Sequence, residues 1–159
     1  MDLVHNRLSV GGSNYHFQFT PKYRKHIFKI ERISKLIRAL IKYKAFKLGV
    51  EIEAIEFGPD HVHVFVTNCK NYSVPQLAQH FKGYSSFKVR RAFPAEMSYF
   101  LWGKSFWSDG YFYESVGRVT SETVKFYIER QQGKHWTERK NQVQQKRFIP
   151  KQQTLNAFC

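Results

Sequence analysis

Cysteine is nearly absent: Cys69 and Cys159 are the only two among 159 residues. That count excludes a disulfide framework and a four-thiolate zinc site, and it fits a reducing cytoplasm. Acidic residues are scarce as well, 12 Asp plus Glu against 26 Lys plus Arg, giving a formal net charge of +14 and a pI near 9.9. Such an excess attracts phosphate polymers, nucleic acid above all because counterion release adds to binding, although charge alone also suits a ribosomal protein or an acidic membrane surface. No apolar run approaches the about 20 residues that span a bilayer, and Met1-Asp2-Leu3-Val4-His5-Asn6-Arg7 lacks the apolar stretch of a signal peptide. The expectation is a soluble, cytoplasmic protein with no membrane partner. No internal repeat is visible.

Aromatic residues are plentiful. With 15 Phe and 9 Tyr, and a hydrophobic fraction of 42%, the chain can bury a core. Its length fits one domain with an extension. The expected boundary separates a folded catalytic domain over 1–133 from a basic, Gln-rich extension over 134–159.

Asn14 to Thr20 alternates large and polar side chains, the period of a half-buried strand. Ile30, Ile33, Ile37, Leu40, Ile41 and Leu48 recur at three and four, predicting a long amphipathic helix that Gly49 can close. Val50, Ile52 and Ala54 alternate with Glu51 and Glu53 in a second strand, which stops at the turn tripeptide Gly58-Pro59-Asp60; a third follows from His61 to Thr67. Ser73-Val74-Pro75-Gln76 carries the signature of a capping box and opens a helix to about Arg91. Ser105 to Val116 reads as two short strands joined by Asp109-Gly110, a hairpin dipeptide. Thr120 or Ser121 caps a last helix ending at Gly133. This order predicts an α+β, ferredoxin-like (split βαβ) antiparallel sheet with helices on one face, plus a C-terminal tyrosine-bearing helix.

Strand alternation puts His61, His63 and Phe65 on one face and Val62, Val64 and Val66 on the other, in the core. The two imidazoles then lie about 6.6 Å apart along the strand, close enough to reach one metal ion. Polar residues on a solvated sheet face have the same pattern. On the last helix Tyr127 and Gln131, four apart, share a face, so a nucleophile and a hard amide-oxygen donor suited to Mg²⁺ or Mn²⁺ could sit together. By spacing alone Tyr127 also fits a core or surface aromatic.

The chain resembles the single-tyrosine HUH transposases of insertion sequences, the TnpA family. The resemblance rests on Tyr15-His16 with Pro21-Lys22-Tyr23-Arg24, on Gly58-Pro59-Asp60-His61-Val62-His63 and on Phe81-Lys82-Gly83-Tyr84-Ser85-Ser86. Leu101 to Tyr111 and Tyr127-Ile128-Glu129-Arg130-Gln131 complete it. It implies a DNA transposase in which Tyr127 is the nucleophile and His61, His63 and Gln131 hold Mg²⁺ or Mn²⁺. It also implies cleavage and rejoining of single-stranded DNA with hairpin ends through a 5′-phosphotyrosine, in a homodimer whose active sites combine histidines and tyrosine in trans. Lys82, Lys88, Arg90 and Arg91 are the phosphate-binding candidates, with a solvated, dipole-complementing helix end as the alternative. Tyr23, Trp107 and Tyr111 are either structural aromatics or base-stacking ones. His16 is open to a structural, DNA-contacting or ligand role. A non-catalytic ferredoxin-like nucleic-acid-binding module and a domesticated nuclease acting on repeated hairpins are the competing functions.

Overall fold

The computed structural model describes residues 4–6 and 9–130. The extension expected over 134–159 and the expected end of the last helix lie outside these residues. By its internal contacts the chain divides into two compact units, one closing at Val124 and one beginning at Lys125.

In the first unit β1 (Val4–Asn6) and β2 (Ser9–Gly11) form a small antiparallel ribbon. The main sheet contains β3 (Tyr15–Phe19), β4 (Glu51–Gly58), β5 (His61–Thr67) and β6 (Phe112–Ser115), in the order β4-β5-β3-β6 with every neighbouring pair antiparallel. Helix α1 (Glu31–Leu48) connects β3 to β4, and α2 (Val74–Ala92) followed by the short α3 (Pro94–Phe100) connects β5 to β6. The predicted split βαβ arrangement is therefore present. Residues 121–130 are helical.

Helix α1 buries Ile33, Ile37, Leu40, Ile41 and Ala45, the stripe its periodicity marks out, and Gly49 ends it at a φ of +72°. Helix α2 opens with a complete capping box: the Ser73 hydroxyl accepts from the Gln76 amide at 3.3 Å and the Gln76 side chain accepts from the Ser73 amide at 2.8 Å. Both helices pack on the face formed by Phe17, Phe19, Val62, Val64 and Val66, with Phe81, Phe106 and Trp107 in the same core. The opposite face of the sheet is left to carry chemistry.

The hairpin expected between Ser105 and Val116 does not form. The Lys22 amide donates to the Phe106 carbonyl and the Ser108 amide to the Thr20 carbonyl, each at 2.9 Å, while β6 pairs with β3 over Tyr15–Gln18. Both halves thus run along the same neighbour, as one interrupted edge strand. The interruption has a cause. The Lys82 ammonium donates to the carbonyls of Ser108, Asp109 and Gly110, at 2.7, 3.1 and 3.2 Å, and gathers the Asp109-Gly110 backbone around itself instead of leaving it to a two-residue turn.

Candidate active site

The register brings residues distant in sequence into rows on the face away from the helices. Glu56, His63, Gln18 and Phe112 lie across from one another on β4, β5, β3 and β6, and the next row is Ala54, Phe65, His16 and Glu114. His61 lies at the end of β5 opposite Gly58. A Cβ at Gly58 would collide with the His61 ring, so the missing side chain makes the space that the imidazole occupies.

Each histidine is held by its Nδ1. The Asp60 carboxylate lies 2.8 Å from Nδ1 of His61, and the Arg24 guanidinium lies 3.2 Å from the other carboxylate oxygen. A carboxylate only accepts, so Nδ1 of His61 carries a proton, and it is Nε2 that a neutral ring would present as a lone pair. Burial alone would raise the Asp60 pKa, but the His61 hydrogen bond and the charges of Arg24, His61 and His26 outweigh it and hold it below the usual value. Arg24 reaches this position from a left-handed pair, Tyr23 at φ +61° and Arg24 at φ +50°. Such conformations cost about 1 to 3 kcal/mol each and persist where the surroundings enforce them.

His63 is 1% exposed, so the solvated-face reading does not describe it, and His16 beside it is 0% exposed; His61 is half-buried. Nε2 of His16 lies 2.8 Å from Nδ1 of His63, and the His16 ring stacks on Phe65 at 4.5 Å between centroids. Nε2 of His63 is buried with no hydrogen-bond partner among the described residues, and Oε1 of Gln18 in the same row is in the same condition. Orphaned buried polar atoms are uncommon, and here they fit a site that receives a cation. Among the described residues no group of three or more His, Cys, Asp or Glu could hold a metal ion, so the pair alone does not complete a site.

Burial, with the charges of His16 and His61 adding to it, pushes the His63 pKa from 6.5 down to about 3. The ring is neutral at working pH, as a metal ligand must be. A stability effect follows. Above pH 6.5 the ring is neutral both folded and unfolded; as pH falls from 6.5 towards 3 the unfolded chain takes up a proton that the folded chain refuses. Between pH 7 and pH 5 this group should remove about 2 kcal/mol of stability from the metal-free protein. Urea unfolding at the two pH values checks it: His63→Asn should lose less stability on acidification than the parent, and an equal loss would contradict the assignment.

Tyr127 lies in the unit that begins at Lys125, half-buried, with the Arg130 guanidinium over its ring at 4.9 Å and Phe126 at 5.4 Å. Gln131 lies outside the described residues.

The basic candidates divide into two pairs. Lys82 has its three donors on carbonyls, and Arg90 donates to the Ser105 and Gly103 carbonyls, so both anchor the segment after α3. Lys88 and Arg91 are exposed and lie over the rings of Tyr84 and Phe87. Trp107 is buried, its indole N–H on the Ser85 hydroxyl at 2.9 Å, and Tyr111 packs on Phe17 and Phe19; both have structural roles. Tyr23 is exposed beside Trp102, which belongs to the Leu101 to Tyr111 stretch.

Comparison with known proteins shows what the chain is similar to. The family model described as transposase, IS200-like, matches residues 9–131. The ISDra2 transposase TnpA of Deinococcus radiodurans is 27% identical over 120 residues, covering 76% of this chain and 84% of that protein. A Salmonella typhimurium transposase for insertion sequence element IS200 is 29% identical over 132 residues, covering 81% of each. Among solved structures, a Deinococcus radiodurans protein assigned as a transposase superposes with a TM-score of 0.65 at 26% identity, over 80% of this chain and 97% of that one. A REP-associated tyrosine transposase bound to a REP hairpin superposes at 0.50 with 16% identity, over 79% and 68%, a likeness of fold.

Proposed function

Because the chain belongs to the IS200-like transposase family, we propose that it cleaves and rejoins single-stranded DNA at insertion-sequence ends by metal-assisted transesterification, with Tyr127 as the nucleophile. The observation that carries this reading is the histidine pair: both Nδ1 atoms have protein partners, and Nε2 of His63 is buried without one among the described residues. A bound Mg²⁺ or Mn²⁺, held by the Nε2 atoms of His61 and His63 and the amide oxygen of Gln131, would neutralise charge on the non-bridging oxygens of the scissile phosphodiester.

The chain's own groups account for the remaining steps. The Tyr127 oxygen attacks phosphorus in line, the new bond joins tyrosine to the 5′ side, and the bond to the 3′ oxygen breaks. The phenol loses its proton and the departing 3′ oxygen gains one. Because the phosphotyrosine keeps the bond energy, another DNA 3′-hydroxyl can attack it, restoring the phenol and joining new ends without ATP or hydrolysis. Asp60 and Arg24 keep His61 in its orientation, and Lys88 and Arg91, both exposed, are the proposed contacts to DNA phosphates. The DNA partner we propose is a single strand with hairpin ends. Two copies of the chain sharing histidines and tyrosine in trans form the proposed assembly.

Single-stranded oligonucleotides from both flanks of the gene, mixed with the protein in Mg²⁺ or Mn²⁺ and separately in chelator, test the proposal. A denaturant-resistant protein–DNA adduct that needs the metal is expected; tight binding with no adduct would favour a non-catalytic nucleic-acid-binding module. A second expectation concerns Gly58. Gly58→Ala should fold, since the three atoms nearest its methyl group all belong to the His61 ring, but by displacing that ring it should weaken Mn²⁺ binding by about 10- to 100-fold, as loss of ligand orientation does. Calorimetric titration with Mn²⁺ reads the change, and unaltered affinity would remove His61 from the site.

A further inference from the structure

His16 is joined to the candidate site by geometry. It is fully buried on β3, separated by 47 positions from His63, with Nε2 at 2.8 Å from Nδ1 of His63 and Nδ1 at 3.5 Å from the Glu114 carboxylate on β6. Two neutral imidazoles sharing one hydrogen bond have two arrangements. In one, His16 donates from Nε2; Nδ1 of His63 then accepts, the His63 proton sits on Nε2 as a buried donor with no partner among the described residues, and a bare Nδ1 lone pair of His16 faces the Glu114 oxygen. In the other, Nδ1–H of His63 donates to His16, Nδ1–H of His16 points to Glu114, and only the Nε2 lone pair of His63 is left over. With both rings neutral, Glu114 distinguishes them, because a carboxylate accepts and does not donate.

Resting on the function proposed above, we infer that His16, backed by Glu114, is a positioning residue that fixes His63 as the Nδ1–H tautomer and aims its Nε2 lone pair at the metal position. His61 has the equivalent support from Asp60 and Arg24. The two ligands are thus backed by separate chains, one running across the sheet and one through the turn before β5. Outer partners of this kind raise metal affinity by orienting the ring and fixing its proton.

Two substitutions separate this role from packing. His16→Phe keeps an aromatic ring to stack on Phe65 but cannot accept a proton; His16→Gln gives up the ring but can place an amide oxygen near the position of Nε2. With Mn²⁺ as the probe in calorimetric titration, His16→Phe should bind about 10- to 100-fold more weakly than the parent, and His16→Gln should recover much of the loss. Equal binding by His16→Phe and the parent, or no recovery in His16→Gln, would overturn the role. ¹⁵N NMR of the metal-free parent decides the matter without any variant having to fold: His63 is expected as Nδ1–H with a bare Nε2, and a proton on Nε2 would overturn it. Failure of the parent to bind Mn²⁺ while NMR reports the Nδ1–H tautomer would count against the proposed function and leave the His16–His63 linkage standing.

Discussion

Tyr127→Phe is expected to eliminate the covalent protein–DNA product while leaving DNA binding within a few-fold of the parent. The substitution removes one oxygen and keeps the ring on which Arg130 and Phe126 pack. On the proposed mechanism that oxygen is the attacking atom, so no alternative route to a 5′-phosphotyrosine exists, and cleavage should fall by on the order of 10⁴-fold or more. Denaturing electrophoresis of labelled oligonucleotide reads the adduct, and mobility shift under native conditions reads binding. Loss of both together would mean that Tyr127 serves the fold or the DNA interface instead of the chemistry.

The second large effect is expected from His61→Ala and His63→Ala, each of which should reduce cleavage by about 10³-fold, since the charge stabilisation a metal supplies is worth several kcal/mol and each 1.36 kcal/mol is tenfold in rate. What distinguishes them from Tyr127→Phe is the metal itself. Mn²⁺ binding, measured by calorimetry, should fall in both histidine variants and persist in Tyr127→Phe. Were the histidine variants to bind Mn²⁺ as the parent does, the ion would be held elsewhere and the pair would be structural. His63→Ala should also lose less stability between pH 7 and pH 5, because it removes the buried ring whose pKa lies at about 3.

Much of this was legible because it is local. The repeat of Ile33, Ile37 and Ile41 fixes the buried stripe of α1, Ser73 and Gln76 write the capping box of α2, and the alternation along β5 sends three valines into the core and two histidines away from it. The candidate ligand pair was therefore visible in six consecutive residues.

What surrounds the pair was not, because it depends on register. His16 meets His63 only when Tyr15 is paired with Val66, and Glu114 joins them only through the separate pairing of β6 with β3. Gly58 reads as a turn glycine; its use is to leave room for the His61 ring across β4 and β5. Asp60 likewise reads as a turn residue, and its carboxylate is spent on His61 and Arg24. Lys82 and the Asp109-Gly110 dipeptide illustrate the same limit in reverse. Each carries a plausible local meaning, phosphate contact and hairpin turn, and a bond between residues more than 25 positions apart gives them a joint structural one.

The most direct test of the central claim is to digest the metal-dependent adduct with protease and nuclease and to locate the modified residue by mass spectrometry. The account predicts a peptide containing Tyr127 that carries a 5′-linked nucleotide through its phenol oxygen, formed in Mg²⁺ or Mn²⁺ and missing in chelator. A nucleotide attached to any other residue, or cleavage that proceeds with no protein-linked DNA at all, would contradict it.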